Sequence, residues 1–187
     1  MTRIVAGTAG GRRLRVPPAG TRPTSDRVRE ALFSALDARM DFDGARVLDL
    51  YAGSGALGLE ALSRGAARAL LIESDRKAAA IVRGNIADLG LPGAELRVGA
   101  VSAVLEQAGA GEFDLVFSDP PYDVETGAVT ADLRALAERG WLTPDAVVVV
   151  ERSIRSPEID WPAGYIPAKA RKYGETRIEL AEFAPDS

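Results

Sequence analysis

Short apolar runs alternate with amphipathic stretches from Ala45 onward, and this alternation is the strongest pattern in the chain. It predicts strands at Arg46–Leu50, Ala69–Glu73, Glu95–Val98, Leu115–Ser118 and Val147–Glu151. It predicts helices between them at Leu57–Arg64, Asp75–Leu89, Val101–Ala108 and Thr126–Arg139. Runs as uniformly apolar as Val147–Val150 are typical of strands that are covered on both faces. We therefore expect right-handed βαβ units in a doubly wound, mostly parallel α/β sheet.

The amino-terminal part has a different pattern. Alternating residues at Arg3–Ala6 and Arg12–Val16 flank a glycine-rich segment, which predicts a hairpin. A helix capped by Thr24 or Ser25 is predicted to follow. We interpret residues 1–40 as a small extension and residues 41–187 as the main domain.

The carboxyl-terminal part is predicted to complete the sheet. Residues Ala168–Tyr173 and Glu175–Phe183 read as two strands that turn at Gly174, so we expect an antiparallel pair at the end of the sheet. With 187 residues and a hydrophobic fraction of 47%, the chain is long and apolar enough for one domain with a small appendage.

Composition excludes several kinds of chemistry. The chain has neither cysteine nor histidine. Disulfides, cysteine nucleophiles, Ser-His-Asp triads and zinc sites built from these residues are therefore excluded, and no metal site is expected. No apolar tract approaches the length that spans a membrane, and no secretory leader is visible, so we expect a cytoplasmic protein without a membrane partner.

Charge is unevenly distributed along the chain. The net charge is −4, but residues 1–30 carry seven arginines and only two acidic residues. A basic arm on an acidic body is the pattern expected when one end of a protein meets a polyanion, although a solvated surface gives the same composition. Five further basic residues either extend this surface or lie on solvated loops: Arg152, Arg155, Lys169, Arg171 and Lys172.

The stretch from Val47 to Gly58 combines a strand, a glycine turn and a helix start. Its glycines have the spacing of a dinucleotide-binding turn, and Glu73 lies twenty positions beyond Gly53. Amides at the helix start can bind a polar ligand, and an acid at the end of the second strand can accept hydrogen bonds from a ribose. Asp49 precedes the turn. Because a carboxylate there repels a pyrophosphate and attracts a cation, the turn favours S-adenosylmethionine over NAD.

The segment Asp119-Pro120-Pro121-Tyr122 is the most specific chemical signal in the sequence. It follows the fourth predicted strand and should therefore lie at the same sheet edge as the glycine turn. The prolines fix the backbone, so the Pro120 carbonyl and the Asp119 side chain form a pair of acceptors beside a stacking face on Tyr122. Such a pair suits a conjugated amine on a base, held in line for methyl transfer.

With these motifs the sequence resembles the class I S-adenosylmethionine-dependent methyltransferases, and more narrowly the bacterial 16S rRNA guanine-N2 methyltransferase family (RsmD). The resemblance covers nearly the whole chain. It includes Arg3–Gly7, Arg22–Glu30, Asp49–Ala61, Ser63–Ala66, Asp119–Tyr122 and the Lys172-Tyr173-Gly174 turn. The glycine turn alone would indicate only the superfamily, whereas the basic arm together with the aspartate form of the proline motif narrows the choice.

The resemblance implies a fold, a reaction and a set of residues. The fold would be a seven-stranded Rossmann-like methyltransferase sheet with an antiparallel last strand. The reaction would transfer a methyl group from S-adenosylmethionine, leaving S-adenosylhomocysteine, to N2 of a guanine in 16S rRNA, on an assembled or partly assembled small ribosomal subunit. We expect a monomer.

Three groups of residues follow from the motifs and the resemblance. The predicted cofactor-binding residues are Asp49, Tyr51, Ala52, Gly53, Ser54, Gly55, Glu73, Ser74, Ala100 and Val101. The predicted catalytic residues are Asp119, Pro120, Pro121 and Tyr122. The predicted RNA-binding residues are Arg12, Arg13, Arg15, Arg22, Arg27 and Arg29.

Several alternatives stay open at this stage. An adenine-N6 methyltransferase acting on DNA or RNA and a protein glutamine methyltransferase use a related proline motif, more often with asparagine in place of Asp119. An NAD-dependent dehydrogenase is supported only by the glycine spacing and Glu73, and the chain offers no second domain for its substrate. A non-catalytic RNA-binding assembly factor could retain the same fold.

Overall fold

An eight-stranded sheet forms the centre of the computed structural model, which describes residues 2–18, 25–109 and 111–185. The strands in chain order are β1 Thr2–Arg3, β2 Arg13–Leu14, β3 Arg46–Leu50, β4 Arg68–Glu73, β5 Ala94–Val98, β6 Phe113–Ser118, β7 Leu142–Ser153, β8 Tyr165–Pro167, β9 Arg171–Tyr173 and β10 Thr176–Phe183. The helices are α1 Asp26–Asp37, α2 Ala56–Ser63, α3 Arg76–Leu89, α4 Val101–Leu105 and α5 Thr126–Glu138. Within these residues, no helix is long and apolar enough to cross a membrane.

The strand order confirms the doubly wound architecture. The central sheet runs β5-β4-β3-β6-β7-β10-β8, and β9 also pairs with β10. Strands β5 to β7 are parallel, whereas β10 is antiparallel to β7 and to its two outer partners. The expected antiparallel last strand is therefore present.

The outer edge of the sheet differs in detail from the sequence-based expectation. Seven strands were expected in the central sheet, and among the described residues this sheet has eight, because β10 pairs with two short strands in succession. Strand β9 pairs with the beginning of β10 and β8 with its end. The predicted strand Ala168–Tyr173 is wrong in extent, because residues 168–170 cross from one pairing to the other, and β8 was not predicted.

Side chains of the buried strands alternate between two apolar layers. In β3, Val47 packs in the layer with α2 and α3, and Leu48 packs in the opposite layer with α4 and α5. This alternation follows from the two-residue period of a strand. Because both faces of a central strand are buried, such strands have continuous apolar sequences with no polar residue between. Both faces of the sheet are consequently covered by helices.

The amino-terminal extension packs on the α2 side of the sheet. Ile4, Leu14, Phe33 and Leu36 belong to the same apolar cluster as the sheet residues. Gly7 has a φ of 83°, and a Cβ atom at this position would stand 1.9 Å from the Ser63 carbonyl oxygen, so only glycine permits this approach. The division at residue 40 stays a prediction, but the extension shares its core with the main sheet.

Candidate active site

The glycine turn and the proline motif leave the sheet side by side. Strands β3 and β6 are parallel neighbours, and Leu50 is in register with Ser118. Adjacent strands are about 4.8 Å apart. The turn that begins at Tyr51 and the motif that begins at Asp119 therefore start at the same level of the same sheet edge, as the sequence predicted.

The glycine turn is shaped by one close contact and by an open helix start. Gly55 has a φ of 83°, and a Cβ atom there would stand 2.9 Å from the Leu71 side chain. No side chain caps α2 at Gly55, so the first amides of the helix face the turn. This arrangement leaves backbone donors at the place where a ligand would lie.

Two carboxylates brace the turn from below. Asp49 is 1% exposed and accepts a hydrogen bond from the Gly58 amide at 2.9 Å. Glu73 accepts from the Gly53 amide at 2.8 Å with one oxygen and from the Asp75 amide at 2.8 Å with the other. Asp49 and Glu73 therefore stabilise the backbone of the glycine turn and of the helix start that follows it.

The electrostatics of this pair favour a cationic ligand. Burial, opposed by the Gly58 hydrogen bond and reinforced by the negative charge of Glu73, raises the pKa of Asp49 to about 8. A buried carboxylate beside a second acid is stabilised by an added positive charge. The site therefore fits the ammonium and sulfonium groups of S-adenosylmethionine better than a pyrophosphate.

The other predicted cofactor residues occupy the same edge in different environments. The Ala52 amide donates to the Ile72 carbonyl at 2.9 Å, which ties the turn to β4. Ser74 is exposed after β4, Ala100 is exposed after β5, and Val101 is buried in the first turn of α4. These positions surround the turn, and their contacts with a cofactor stay a prediction.

Tyr51 is anchored away from the turn. Its hydroxyl donates to the Asp132 carboxylate of α5 at 2.6 Å. Burial raises the pKa of both groups. Tyr51 also has a φ of 57°, an uncommon value for a residue with a side chain, which shows how sharply the chain bends as it leaves β3. No local pattern marks Asp132, because it lies in the middle of an amphipathic helix.

Asn85 connects the extension to the turn, and sequence reasoning missed it. Its buried side chain donates to the Ser54 carbonyl at 2.8 Å and to the Arg15 carbonyl at 2.9 Å. Its oxygen accepts from the Arg15 amide at 2.8 Å. The side-chain amide of Asn85 thus connects the extension to the glycine turn. An asparagine on a predicted helix is normally exposed, so only its three-dimensional neighbours reveal this role.

The proline motif presents acceptors and a ring. Pro120 is buried, Pro121 is exposed, and the Val124 amide closes the turn by donating to the Pro121 carbonyl at 3.1 Å. Among the described residues, none donates a hydrogen bond to the Pro120 carbonyl. Tyr122 is 65% exposed, so much of its side chain faces solvent.

Two buried polar atoms without partners flank this motif. Within the described residues, the Ser118 hydroxyl and the Nε atom of Arg152 have no hydrogen-bond partner. Arg152 is 6% exposed, so the expectation that it lies on a solvated surface is wrong. Burial lowers the pKa of its guanidinium, the neighbouring charge of Arg177 lowers it further, and the attraction of Asp119 opposes both effects. Unsatisfied buried groups are costly and often mark functional positions.

The predicted RNA-binding arginines are not equivalent. Arg13 and Arg27 are exposed, and Arg22 lies outside the described residues. Arg12 donates to the Asp88 carbonyl at 2.7 Å, and Arg15 forms an ion pair with the Asp88 carboxylate at 3.1 Å. Both remain on the surface, on the outer side of α3.

Arg29 requires a correction. Its side chain is fully buried and pairs with the buried Glu60 at 3.3 Å. It also donates to the Arg3 carbonyl and to Asp26. The helix α1 turns this arginine inward, so it stabilises the extension and does not present its charge to a polyanion.

Comparison with known proteins was made on the whole chain. A family model described as "Conserved hypothetical protein 95" matches residues 2–182. Ribosomal RNA small subunit methyltransferase D of Escherichia coli K12 is 39% identical over 179 residues, which cover 95% of this chain and 88% of that protein. The protein of the same name from Haemophilus influenzae is 35% identical over 161 residues, covering 84% and 81% of the two chains.

Solved structures agree with the fold. The E. coli protein yhhF superposes with a TM-score of 0.85 at 38% identity over 98% of both chains. An RNA methyltransferase from Salinibacter ruber, in complex with S-adenosylhomocysteine, has a TM-score of 0.66 at 20% identity over 89% of this chain and 96% of that chain. This second likeness supports the fold alone. In the described part of this chain, no cluster of acidic residues could hold a metal ion.

Proposed function

The chain belongs to the family of ribosomal RNA small subunit methyltransferase D, and from this premise we propose that it methylates N2 of a guanine in 16S rRNA with S-adenosylmethionine. The observation that carries the proposal is the register of Leu50 with Ser118. This register starts the glycine turn and the proline motif side by side, as a direct transfer between two bound groups requires.

The cofactor half is proposed to use its carboxylates and its helix start. S-adenosylmethionine supplies an electrophilic methyl group on a sulfonium. The ionised Asp49 and the backbone of Gly53 and Gly55 would hold the methionine end. Glu73 would accept hydrogen bonds from the ribose hydroxyls, either in place of its bond with the Gly53 amide or in addition to it.

The substrate half is proposed to orient the amine. Asp119 and the Pro120 carbonyl would accept the two N–H bonds of the exocyclic nitrogen, which localises its lone pair towards the methyl group. Tyr122 would stack on the flipped base, since a base must leave its stack to reach such a pocket. After the transfer the nitrogen loses one proton, and Asp119 is positioned to accept it.

The substrate is proposed to be the small ribosomal subunit, assembled or partly assembled, and the protein to act on it as a monomer in the cytoplasm. Exposed Arg12, Arg13 and Arg15 on the extension would contact phosphates. This assignment is supported by the relatives, which are ribosomal RNA small subunit methyltransferases, and by the charge of the extension.

The test is a base-resolved methylation assay. Small subunits and naked 16S rRNA from a strain lacking the enzyme are incubated with labelled S-adenosylmethionine and the protein, then digested and examined by mass spectrometry. We expect one N2-methylguanosine per subunit and less product on naked RNA. Label in N6-methyladenosine, or in protein, would replace the proposal with one of the other methyl acceptors.

A further inference from the structure

A second cationic surface stands on the side of the proline motif that faces away from the hairpin of the extension. We propose that this surface, hereafter the edge platform, binds the phosphate backbone of the RNA substrate. The edge platform comprises the loop 154–157 after β7 and residues 169–173, which include β9. The inference rests on the proposed RNA substrate and adds to it a contact that the amino-terminal arm does not supply.

Strand pairing fixes the position of the edge platform beside the motif. Ser118 is in register with Val150 of β7, and Val150 is in register with Glu179 of β10. Thr176 of β10 pairs with Ser153 of β7 and with Tyr173 of β9. Because Ser153 lies three residues after Val150, the sheet extends roughly 10 Å beyond the end of β6 at Ser118. The edge platform therefore lies one to three strand spacings, about 5–14 Å, to the side of β6, the strand that leads into Asp119.

The edge platform is rigidly built. The Arg177 guanidinium is buried and donates to the carbonyls of Ser156 at 2.9 Å and Pro157 at 2.8 Å. Its Nε atom pairs with the buried Glu179 carboxylate at 3.2 Å, and that carboxylate also accepts from the Ile159 amide. The Ile154 amide donates to the Glu175 carbonyl at 2.9 Å, which joins the loop to the β9–β10 turn. A buried cation thus shapes the loop, and exposed cations remain on its surface.

The surface charge of the edge platform is largely available. Lys169, Arg171 and Lys172 are exposed, and across the described ranges none of them forms an ion pair with an acidic residue. Arg155 is 84% exposed and lies 3.8 Å from Glu175, a distance at which a surface pair contributes little. By contrast, Arg15 is paired with Asp88 and Arg29 is buried in the extension.

The two surfaces bracket the site from opposite sides. The hairpin of the extension lies against α2 and α3. Helix α1 and the residues after it continue across the sheet, where Phe33 contacts Phe117 of β6 and Arg39 pairs with Glu182 of β10. The edge platform lies on the other side of the motif from the hairpin, at the β9 edge of the sheet. A base that enters the pocket from a strand leaves phosphates on both of its sides. If the protein contacted phosphates on one side only, the RNA strand could rotate about the flipped base. Phosphate contacts on the second side would prevent this rotation.

The experiment compares two double variants of the full-length protein. Lys169→Ala with Arg171→Ala removes two platform charges. Arg134→Ala with Arg139→Ala, the matched control, removes two exposed charges from α5 and its C-terminal cap, where Arg139 pairs with Glu106. RNA affinity is measured by filter binding over a series of salt concentrations, and methyl transfer is measured on small subunits. Melting temperature and S-adenosylmethionine affinity check that each variant is folded.

We expect the platform variant to bind RNA about tenfold more weakly, with a salt slope lower by about 1.4, since each phosphate contact to a single strand contributes roughly 0.7. KM for the subunit should rise while kcat stays within about twofold, and Lys169→Arg with Arg171→Lys should restore binding. An affinity and a salt slope equal to those of the wild type, or an equal loss in the control, would overturn the inference. A wild-type protein that neither binds nor methylates small-subunit RNA would overturn the proposed function itself.

Discussion

The two halves of the candidate site differ in how much of their geometry the protein holds by itself. The glycine turn is fixed by three side chains, because Asp49, Glu73 and Asn85 each bond to its backbone. In the proline motif the two rings restrict the backbone, the Asp119 amide donates to the Leu50 carbonyl at 3.5 Å, and the Val124 amide donates to the Pro121 carbonyl at 3.1 Å, while Tyr122 is exposed. We therefore predict that the cofactor half is formed before any ligand binds, whereas the substrate half is completed by the base.

This comparison assigns different kinetic consequences to the two halves. Loss of a group that braces the turn should change cofactor affinity, since we propose that the turn binds the cofactor in its ground state. Loss of a group that acts on the amine should change turnover and leave cofactor affinity intact. Three substitutions test this separation.

The largest effect is expected at Asp119. Asp119→Ala removes an acceptor for the amine and a candidate proton acceptor, so kcat should fall by about 10²-fold to 10⁴-fold. The dissociation constant for S-adenosylmethionine, measured by calorimetry, should change by less than about twofold. Asp123→Ala, in the same loop and exposed, is the matched control and should retain activity. Near-normal single-turnover rates in Asp119→Ala would remove Asp119 from the reaction.

An intermediate effect is expected at Asp49. Asp49→Asn should weaken S-adenosylmethionine binding by about tenfold to 100-fold, because a hydrogen bond or ion pair to a charged group contributes about 1.5–3 kcal/mol. The raised pKa of about 8 also predicts a pH dependence. Below that pH the free carboxyl group is protonated, and binding a cation releases the proton, so affinity should increase as pH rises towards 8.

Calorimetry at pH 6, 7 and 8 checks the role of Asp49 directly. The wild type should gain up to about tenfold in affinity per pH unit over this range, and the asparagine variant should gain less, since it retains only the titration of the ligand. Parallel pH profiles for the two proteins would show that the Asp49 carboxyl group does not titrate with binding.

The smallest effect is expected at Tyr122. Tyr122→Ala removes a stacking face worth about 1–3 kcal/mol per base, and the low end applies because the ring is exposed. KM for the small subunit should therefore rise by about fivefold to tenfold, while cofactor affinity is unchanged. Tyr122→Phe keeps the ring and should behave like the wild type. An equal loss in Tyr122→Phe would point to the hydroxyl group instead of the stacking face.

Periodicity and motif spacing predicted the parts of the molecule that depend on local pattern. The parallel strands, the glycine turn and the position of the proline motif follow from apolar runs and from residues close in sequence. The residues that link distant segments were not predictable in this way. Asn85 looks like an ordinary surface position until the extension folds over it, and Arg29 looks like one until α1 packs against Glu60 of α2. Arg152 is buried only because β10 and α5 cover the end of β7.

The carboxyl edge of the sheet illustrates the same limit. A tight turn at Gly174 was predictable from one glycine between two runs. The pairing of β10 with both β8 and β9 is a long-range contact, and no local sequence pattern predicts it. Short edge strands such as β8 also have too few residues to show a period.

Glu60 makes the first ten residues part of the scaffold. Its buried carboxylate accepts from the Val5 amide at 2.7 Å and the Ala6 amide at 3.1 Å, in addition to Arg29 and Arg64. Deletion of residues 2–9 would strip two donors from a carboxylate that water does not reach, and the helix beneath the cofactor turn would lose its support. Truncation would therefore inactivate the whole protein, and the proposed RNA contacts of the extension can be tested apart from its structural role only by single substitutions on its outer surface.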